Sequence, residues 1–237
     1  MPVPARRTLH GVAIFRGLNG AALGRWETQC KWKTFAAGES ILEADDQTCD
    51  IFFLIEGKVQ VVMYSVSGQV VLFRDIAAGG MFGEFAAIDS KQRSATVEAT
   101  EPCLVACMTA NNFRKQLKRD NVVMMAMLEH AITQIRALTS RVFEFSTLAV
   151  SNRIHAELVR LSRDGRVLEG KGKRKEVRID PFPRHLDIAS RVSTHREAVT
   201  RELASLKAQG IVTRDGNALI ILDLERLMRK VREVNEG

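Results

Sequence analysis

What the chain lacks narrows its function first. No uninterrupted apolar run approaches the ~18 residues a membrane-crossing helix requires, so a helical span is not expected. The N-terminus has no apolar stretch of signal-peptide type, which makes a cytoplasmic location the expectation. Cysteine is sparse: Cys30, Cys49, Cys103 and Cys107, with no C-x-x-C pair. Cys103 and Cys107 fall in Pro102–Met108, which reads as a strand. Four residues along a strand span roughly 13 Å, too far for one disulfide or one metal. All four are therefore expected to be reduced, partly buried small apolar residues, and no metal site is expected. There is no internal repeat, no low-complexity segment, no nucleophile–base pair and no phosphate-transfer motif, so the expectation is a protein that is not an enzyme.

What is present points to binding. The 237 residues suffice for two modest domains with real cores. The net charge of +7 is unevenly placed. Residues 1–145 carry 16 Lys and Arg against 15 Asp and Glu, a net of +1, whereas residues 146–237 carry 19 against 13, a net of +6. A basic C-terminal part suggests an anionic polymer as partner there.

From Phe35 to Met108 short alternating segments recur between turn signals, the pattern of a small β-barrel or jelly roll. Ile51–Ile55, Glu56-Gly57 and Val59–Met63 read as strand, tight turn, strand; Ser65–Gly68 reads as another turn and Gln69–Asp75 as the next strand. Residues 10–29 read as a helical lead-in with Leu18, Leu23 and Trp26 on its apolar face. A short helix is expected at Asn112–Leu117 and a long one at Val122–Phe145. The long helix carries Leu128, Ala131, Ile132, Ile135, Leu138, Val142 and Phe145, alternating near three and four, which is a coiled-coil-like seam. A seam that long exceeds what one small barrel needs to cover, so a parallel homodimer is expected. A hinge is expected near Phe145–Leu148, then an amphipathic helix over Val150–Leu161. Gly165–Gly172 with Lys173-Arg174-Lys175 reads as a turn and basic loop, with a hairpin to Glu176–Ile179 as the alternative.

Two motifs carry the chemistry. The first is Phe82-Gly83-Glu84-Phe85-Ala86-Ala87, followed by Arg93-Ser94-Ala95-Thr96-Val97. Gly83 allows backbone to approach a ligand closely where a Cβ would obstruct. Glu84, acceptor-only when ionised, suits a hydroxyl donor. Arg93 offers a permanently charged planar fork to phosphate oxygens, and Ser94 adds a hydroxyl donor. A ligand needing both groups at once is a cyclic nucleotide, with its ribose 2′-hydroxyl close to its cyclic phosphate.

The second motif is His185–Lys207. Ile188 and Val192 are apolar at i, i+4, and Ala189 is small where two helices meet. Val199, Leu203 and Leu206 form the inner stripe of a second helix, which Ser193 or Thr194 can cap. Arg196, Glu197, Thr200 and Arg201 face outward near its N-terminal end, as a base-reading helix requires. Ile211–Thr213, a turn at Arg214–Asn217 and Ala218–Ile221 read as a hairpin wing.

The first motif resembles the phosphate-binding cassette of cyclic-nucleotide-binding domains, and Arg196-Glu197-x-Val199-x-Arg201 looks like the recognition helix of the CRP/FNR transcription regulators. The resemblance covers all but residues 1–9 and 226–237, and departs from the family at Ser193, where glycine is usual. It implies an α+β architecture: a cyclic-nucleotide-binding β-barrel over residues 1–121, a dimerisation helix over 122–145 and a winged helix-turn-helix over 146–237. It implies cyclic AMP or cyclic GMP as allosteric effector, bound by Gly83, Glu84, Phe85, Arg93 and Ser94. In that family a Thr-Ser pair on the long helix reaches the base, one residue coming from the partner subunit. The register here differs by one, so Thr139 or Ser140 inherits that role. Thr194, His195, Arg196, Glu197, Thr200 and Arg201 would contact a palindromic double-stranded DNA operator, with RNA polymerase as a further partner and no membrane.

Alternatives stay open at this point. Relatives sense oxygen through an iron–sulfur cluster, for which no cysteine cluster precedes Cys30, or carbon monoxide through haem, for which nothing favours His10 or His130. A regulatory module of an enzyme or channel would need a catalytic domain or a membrane segment. Arg74, in the strand before the cassette, reaches either the base or a carboxylate.

Overall fold

The computed structural model describes residues 7–65, 70–169 and 175–232. The chain divides into two compact units, Met1–Ile135 and Arg136–Gly237, and the division falls inside one long helix.

The first unit begins with a helical lead-in. Helix α1 (Gly20–Glu27) is capped by Asn19, whose side chain accepts from the Ala22 N–H at 2.8 Å. Eight strands follow: β1 (Lys31–Phe35), β2 (Ser40–Leu42), β3 (Ile51–Glu56), β4 (Lys58–Tyr64), β5 (Val70–Ala77), β6 (Met81–Phe82), β7 (Thr96–Ala99) and β8 (Cys103–Met108). Helix α2 (Glu84–Asp89) separates β6 from β7. The strands form two antiparallel sheets, ordered β1-β8-β3-β6 and β2-β7-β4-β5.

Strand β3 shows why the sequence there is apolar without alternation. Side chains on a strand point to opposite faces in turn. Phe52 and Leu54 face the core between the sheets, with Val59, Val97 and Val105. Ile51 and Phe53 face the helical side, with Trp26, Met81 and Phe113. The strand is covered on both sides over Ile51–Leu54, so each of those positions demands a hydrophobe. Gly57 makes the hairpin to β4 at φ +89°, and a Cβ there would sit 2.4 Å from the Pro102 carbonyl. All four cysteines are free; Cys103 and Cys107 are buried, and Cys30 and Cys49 are partly so. The turn expected at Ser65–Gly68 lies largely outside the described residues.

Helix α3 (Ala110–Arg119), capped by Thr109, leads into α4 (Asn121–Thr147). Asp120 between them accepts from Trp26 Nε1 at 2.8 Å and pairs with Arg25 at 3.2 Å, tying α1 to the start of α4. Val123 and Met127 of α4 are buried against the lead-in core. From Leu128 onward the apolar positions of α4 are uncovered: Leu128, Ile132, Ile135, Leu138, Val142 and Phe145 are all exposed.

In the second unit, α5 (Val150–Leu161) is followed by β9 (Arg166–Glu169), β10 (Lys175–Ile179), α6 (His185–Arg191), α7 (Arg196–Ala208), β11 (Val212–Asp215), β12 (Ala218–Ile221) and α8 (Leu224–Arg232). The sheet order is β11-β12-β10-β9, antiparallel throughout. Within the segment read as a turn, residues 166–169 are a strand whose backbone pairs with β10, Val167 opposite Val177, so the hairpin alternative is the one that forms. Helix α8 runs to Arg232, past the point at residue 226 where the family resemblance was expected to stop, and its Leu227 is fully buried with Ile154 and Leu158 of α5. Lys173 and Arg174 lie outside the described residues.

Candidate functional sites

In the first unit the cassette is a left-handed turn opening a short helix. Gly83 has φ +78° and precedes Glu84, the first residue of α2. An L residue pays about 1–2 kcal/mol in that region. A Cβ on Gly83 would also lie 2.7 Å from Arg93 Nη1 and 3.0 Å from the Asp50 carbonyl. What crowds Gly83 is thus the guanidinium itself.

Arg93 is 3% exposed. Its Nη1 donates to the Gly83 carbonyl at 3.1 Å, Nη2 to the Asp50 carbonyl at 2.8 Å, and Nε to Thr48 Oγ1 at 3.2 Å. It also sits over the Phe52 ring, 6.0 Å from the centroid. Every one of these partners is neutral, and no carboxylate among the described residues forms an ion pair with it. Burial lowers its pKa; Cys49, Asp50 and Asp46 nearby push the other way. A guanidinium does not lose its proton in a protein, so a cation stands buried without a paired anion. Such a charge is costly unless it is compensated, and the missing partner is an anion.

Glu84, 5% exposed, is the second pole. Arg74 Nη2 of β5 donates to its Oε1 at 3.1 Å, which settles Arg74's partner as the carboxylate. His130 Nε2 of α4 lies 4.0 Å from the same oxygen. Gly83, Glu84 and Arg93 are therefore brought together, with Arg74 and His130 added by the fold. Ser94 is exposed beside Arg93, and Phe85 turns outward at 54% exposure. Thr139 and Ser140 lie on the exposed stretch of α4 that belongs to the second unit. Thr139 continues the three–four spacing of Met125, Leu128, Ile132, Ile135 and Val142; Ser140 sits one position off it.

In the second unit α6 and α7 are joined by a four-residue turn. Ser193 has φ +50°, so the left-handed geometry is kept without glycine. The turn is fastened by the Thr194 N–H donating to the Ala189 carbonyl at 3.0 Å. The N-cap of α7 is His195, whose side chain makes no capping bond. This corrects the expectation that Ser193 or Thr194 caps the helix: the left-handed step at Ser193 places both outside the cap position. We predict that Ser193→Val lowers the stability of this unit by about 1–2 kcal/mol, since a β-branched residue is strained there. Ser193→Gly should leave it within a few tenths of a kcal/mol, relief of strain being offset by backbone entropy. Thermal unfolding of both variants checks this; equal effects would show that the turn is not left-handed in solution.

Val199, Leu203 and Leu206 of α7 are buried, and Arg196, Glu197, Thr200 and Arg201 are exposed on the opposite face. A contact chain that the sequence did not announce steadies that face. Arg214 Nη2 of the wing meets His185 Nε2 at 3.0 Å, His185 Nδ1 meets Thr200 Oγ1 at 2.8 Å, and that hydroxyl donates to the Arg196 carbonyl at 3.0 Å. Burial, with Arg214 and Arg196 nearby, lowers the His185 pKa. A neutral ring protonated on Nδ1 fits all three contacts: it accepts from Arg214 and donates to Thr200. Behind the face, Glu157 of α5 is 1% exposed and pairs with Arg160 and with Arg191 at 3.3 Å, fixing α5 to α6.

Comparisons with known proteins match both halves. A cyclic nucleotide-binding domain model matches residues 32–120, and a Crp-like helix-turn-helix domain model matches residues 152–230. The second match extends past residue 226, into α8. The chain is 24% identical over 196 residues to the cAMP-activated global transcriptional regulator Vfr of Pseudomonas aeruginosa, covering 81% of this chain and 89% of that protein. It is 22% identical over 219 residues to a CRP-like cAMP-activated global transcriptional regulator of Mycobacterium tuberculosis, covering 92% and 96%. Among solved structures, the c-di-GMP responsive global regulator CLP of Xanthomonas campestris superposes with a TM-score of 0.72 at 16% identity, covering 86% of this chain and 99% of that one. At that identity the likeness concerns the fold.

Proposed function

The chain belongs to the CRP/FNR family of transcription regulators, and on that premise we propose that it is a sequence-specific DNA-binding regulator, dimeric and switched by cyclic AMP. The observation that carries the effector class is Arg93, a buried cation held only by neutral oxygens beside a left-handed glycine and a buried carboxylate. Phosphate would supply its missing anion, and a ribose hydroxyl would donate to Glu84. Cyclic AMP is preferred to cyclic GMP because the Pseudomonas aeruginosa and Mycobacterium tuberculosis relatives named above are cAMP-activated regulators. Calorimetry with both nucleotides tests this. Binding of neither at millimolar concentration would end the proposal.

On this reading Phe85 and Ser94 flank the bound nucleotide and Thr139 contacts its base, with Ser140 the alternative. Helix α4 is one continuous element shared by both units, so its repacking is the route by which the effector acts on the DNA-binding unit. Two copies of α7 would then match successive major grooves, roughly 34 Å apart. RNA polymerase is proposed as a further partner and the cytoplasm as the location. The protein works by binding, with no catalytic step.

Thr194, His195, Arg196, Glu197, Thr200 and Arg201 are proposed to face DNA. Arg pairs bidentately with guanine, and Glu accepts from the cytosine amino group. Each good base contact is worth about 1–3 kcal/mol of discrimination. Glu197→Ala should therefore relax specificity at one position per half-site while general affinity persists. Selection from random DNA, with cyclic AMP present, reads this out. The same consensus at the same stringency would remove Glu197 from the reading face.

A further inference from the structure

His130 is a polar group at the cassette whose placement the reading above does not use. It stands on the early part of α4, within the first unit, and reaches the cassette from outside it in sequence. Its Nε2 is buried and has no hydrogen-bond partner among the described residues. A buried polar atom left unpaired is uncommon in a folded protein and calls for a physical reason. The nearest polar group is Glu84 Oε1 at 4.0 Å, too long for a hydrogen bond. Arg74 already occupies that oxygen at 3.1 Å.

A gap of 4.0 Å is the spacing for an intervening hydroxyl. An oxygen placed about 2.7–2.8 Å from each atom would see them roughly 90° apart, a workable angle between a hydroxyl's donor and acceptor directions. The chemistry is complementary on both sides. Glu84 can only accept. Burial lowers the His130 pKa, with Arg74 adding to the effect and Glu84 opposing it, so the ring is neutral near pH 7. A neutral ring protonated on Nε2 donates from that atom. The group that fits between them must donate to one and accept from the other, as a hydroxyl does.

We propose that His130 is a ligand-contacting, specificity-determining residue whose Nε2–H donates to the ribose 2′-hydroxyl that Glu84 accepts from. This rests on the cyclic-nucleotide reading and extends it. It assigns α4 a direct contact with the sugar, so that the helix senses the 2′-hydroxyl as well as whatever its later residues touch. Nucleotides without that hydroxyl would leave His130 Nε2 unpaired and Glu84 held by Arg74 alone.

The test is a cycle between side chain and ligand. Affinities of the full chain for cyclic AMP and cyclic GMP are measured first, and the tighter one is compared with its 2′-deoxy analogue. Wild type, His130→Leu and His130→Gln are used, with thermal unfolding to verify that each is folded. His130→Leu should weaken the ribonucleotide about tenfold, the scale of one well-placed hydrogen bond, and leave the 2′-deoxy analogue unchanged. His130→Gln, which keeps a donor, should recover part of the loss. Equal losses for both ligands, or no loss for either, would overturn the proposal while the cyclic-nucleotide reading stands. No binding of any cyclic nucleotide by wild type would overturn both, so the two failures are distinguishable.

Discussion

Arg93→Ala is expected to abolish cyclic-nucleotide binding, a loss of at least a hundredfold in Kd by calorimetry. The guanidinium can present two parallel N–H donors to a cyclic phosphate, and hydrogen bonds to charged groups contribute about 1.5–3 kcal/mol each. Two of them lost, with the phosphate left in a site stripped of its cation, exceeds the 2.8 kcal/mol or so that a hundredfold represents. The same side chain also holds the carbonyls of Gly83 and Asp50 and the hydroxyl of Thr48. Its removal will therefore lower the stability of the first unit as well, and a binding loss alone would be ambiguous. Arg93→Lys resolves this. It keeps the charge and loses the fork, so it should retain weak binding. A folded Arg93→Ala protein with wild-type affinity would mean that the anion site lies elsewhere.

What the sequence disclosed and what it withheld follow from distance along the chain. Gly83, Glu84 and Arg93 lie within one short segment, and the turn joining them is dictated locally by a glycine at positive φ. Their spacing could be read directly. Arg74 and His130 reach Glu84 from β5 and from α4, and no local pattern specifies a meeting between a strand and a helix that far apart in sequence. The proposed reading helix was legible because Val199, Leu203 and Leu206 mark its inner face, leaving Arg196, Glu197, Thr200 and Arg201 opposite. Its cap was not, because that depends on the single dihedral of Ser193, and serine carries no left-handed signature. Strand β9 was open between turn and hairpin, because a strand of four residues declares itself only through its pairing with β10. Helix α8 did carry a signal: Leu224, Leu227, Met228 and Val231 recur at helical spacing.

A charged residue in the α4 seam is expected to dissociate the proposed dimer. Met125, Leu128, Ile132, Ile135 and Val142 are exposed apolar side chains at three- and four-residue steps, Thr139 filling the step between the last two, with Ile135 at 61% and Val142 at 63%. Single exposed hydrophobes are ordinary on protein surfaces, but a contiguous stripe of this kind marks an interaction face. The spacing fits a left-handed coiled coil, in which each such side chain enters a hole on the facing helix. Burying one large apolar side chain contributes about 1.5–3 kcal/mol. Five positions contributed by each of two chains amount to enough for association at micromolar concentration after association entropy is subtracted. Ile135→Asp would face its own copy across the two-fold axis, setting two unpaired carboxylates in an apolar seam. Leaving a buried charge unpaired costs about 3–5 kcal/mol, which weakens dimerisation several-hundredfold or more. Sedimentation at micromolar protein should show the wild type as a dimer and Ile135→Asp or Val142→Asp as monomers. Ala137→Glu, on the face away from the seam, should stay dimeric. The monomeric variants should still bind cyclic AMP through the intact Glu84–Arg93 cassette. They should lose tight operator binding, because one α7 meets only one half-site. A wild-type monomer, or an Ile135→Asp dimer of unchanged strength, would refute the seam as the interface.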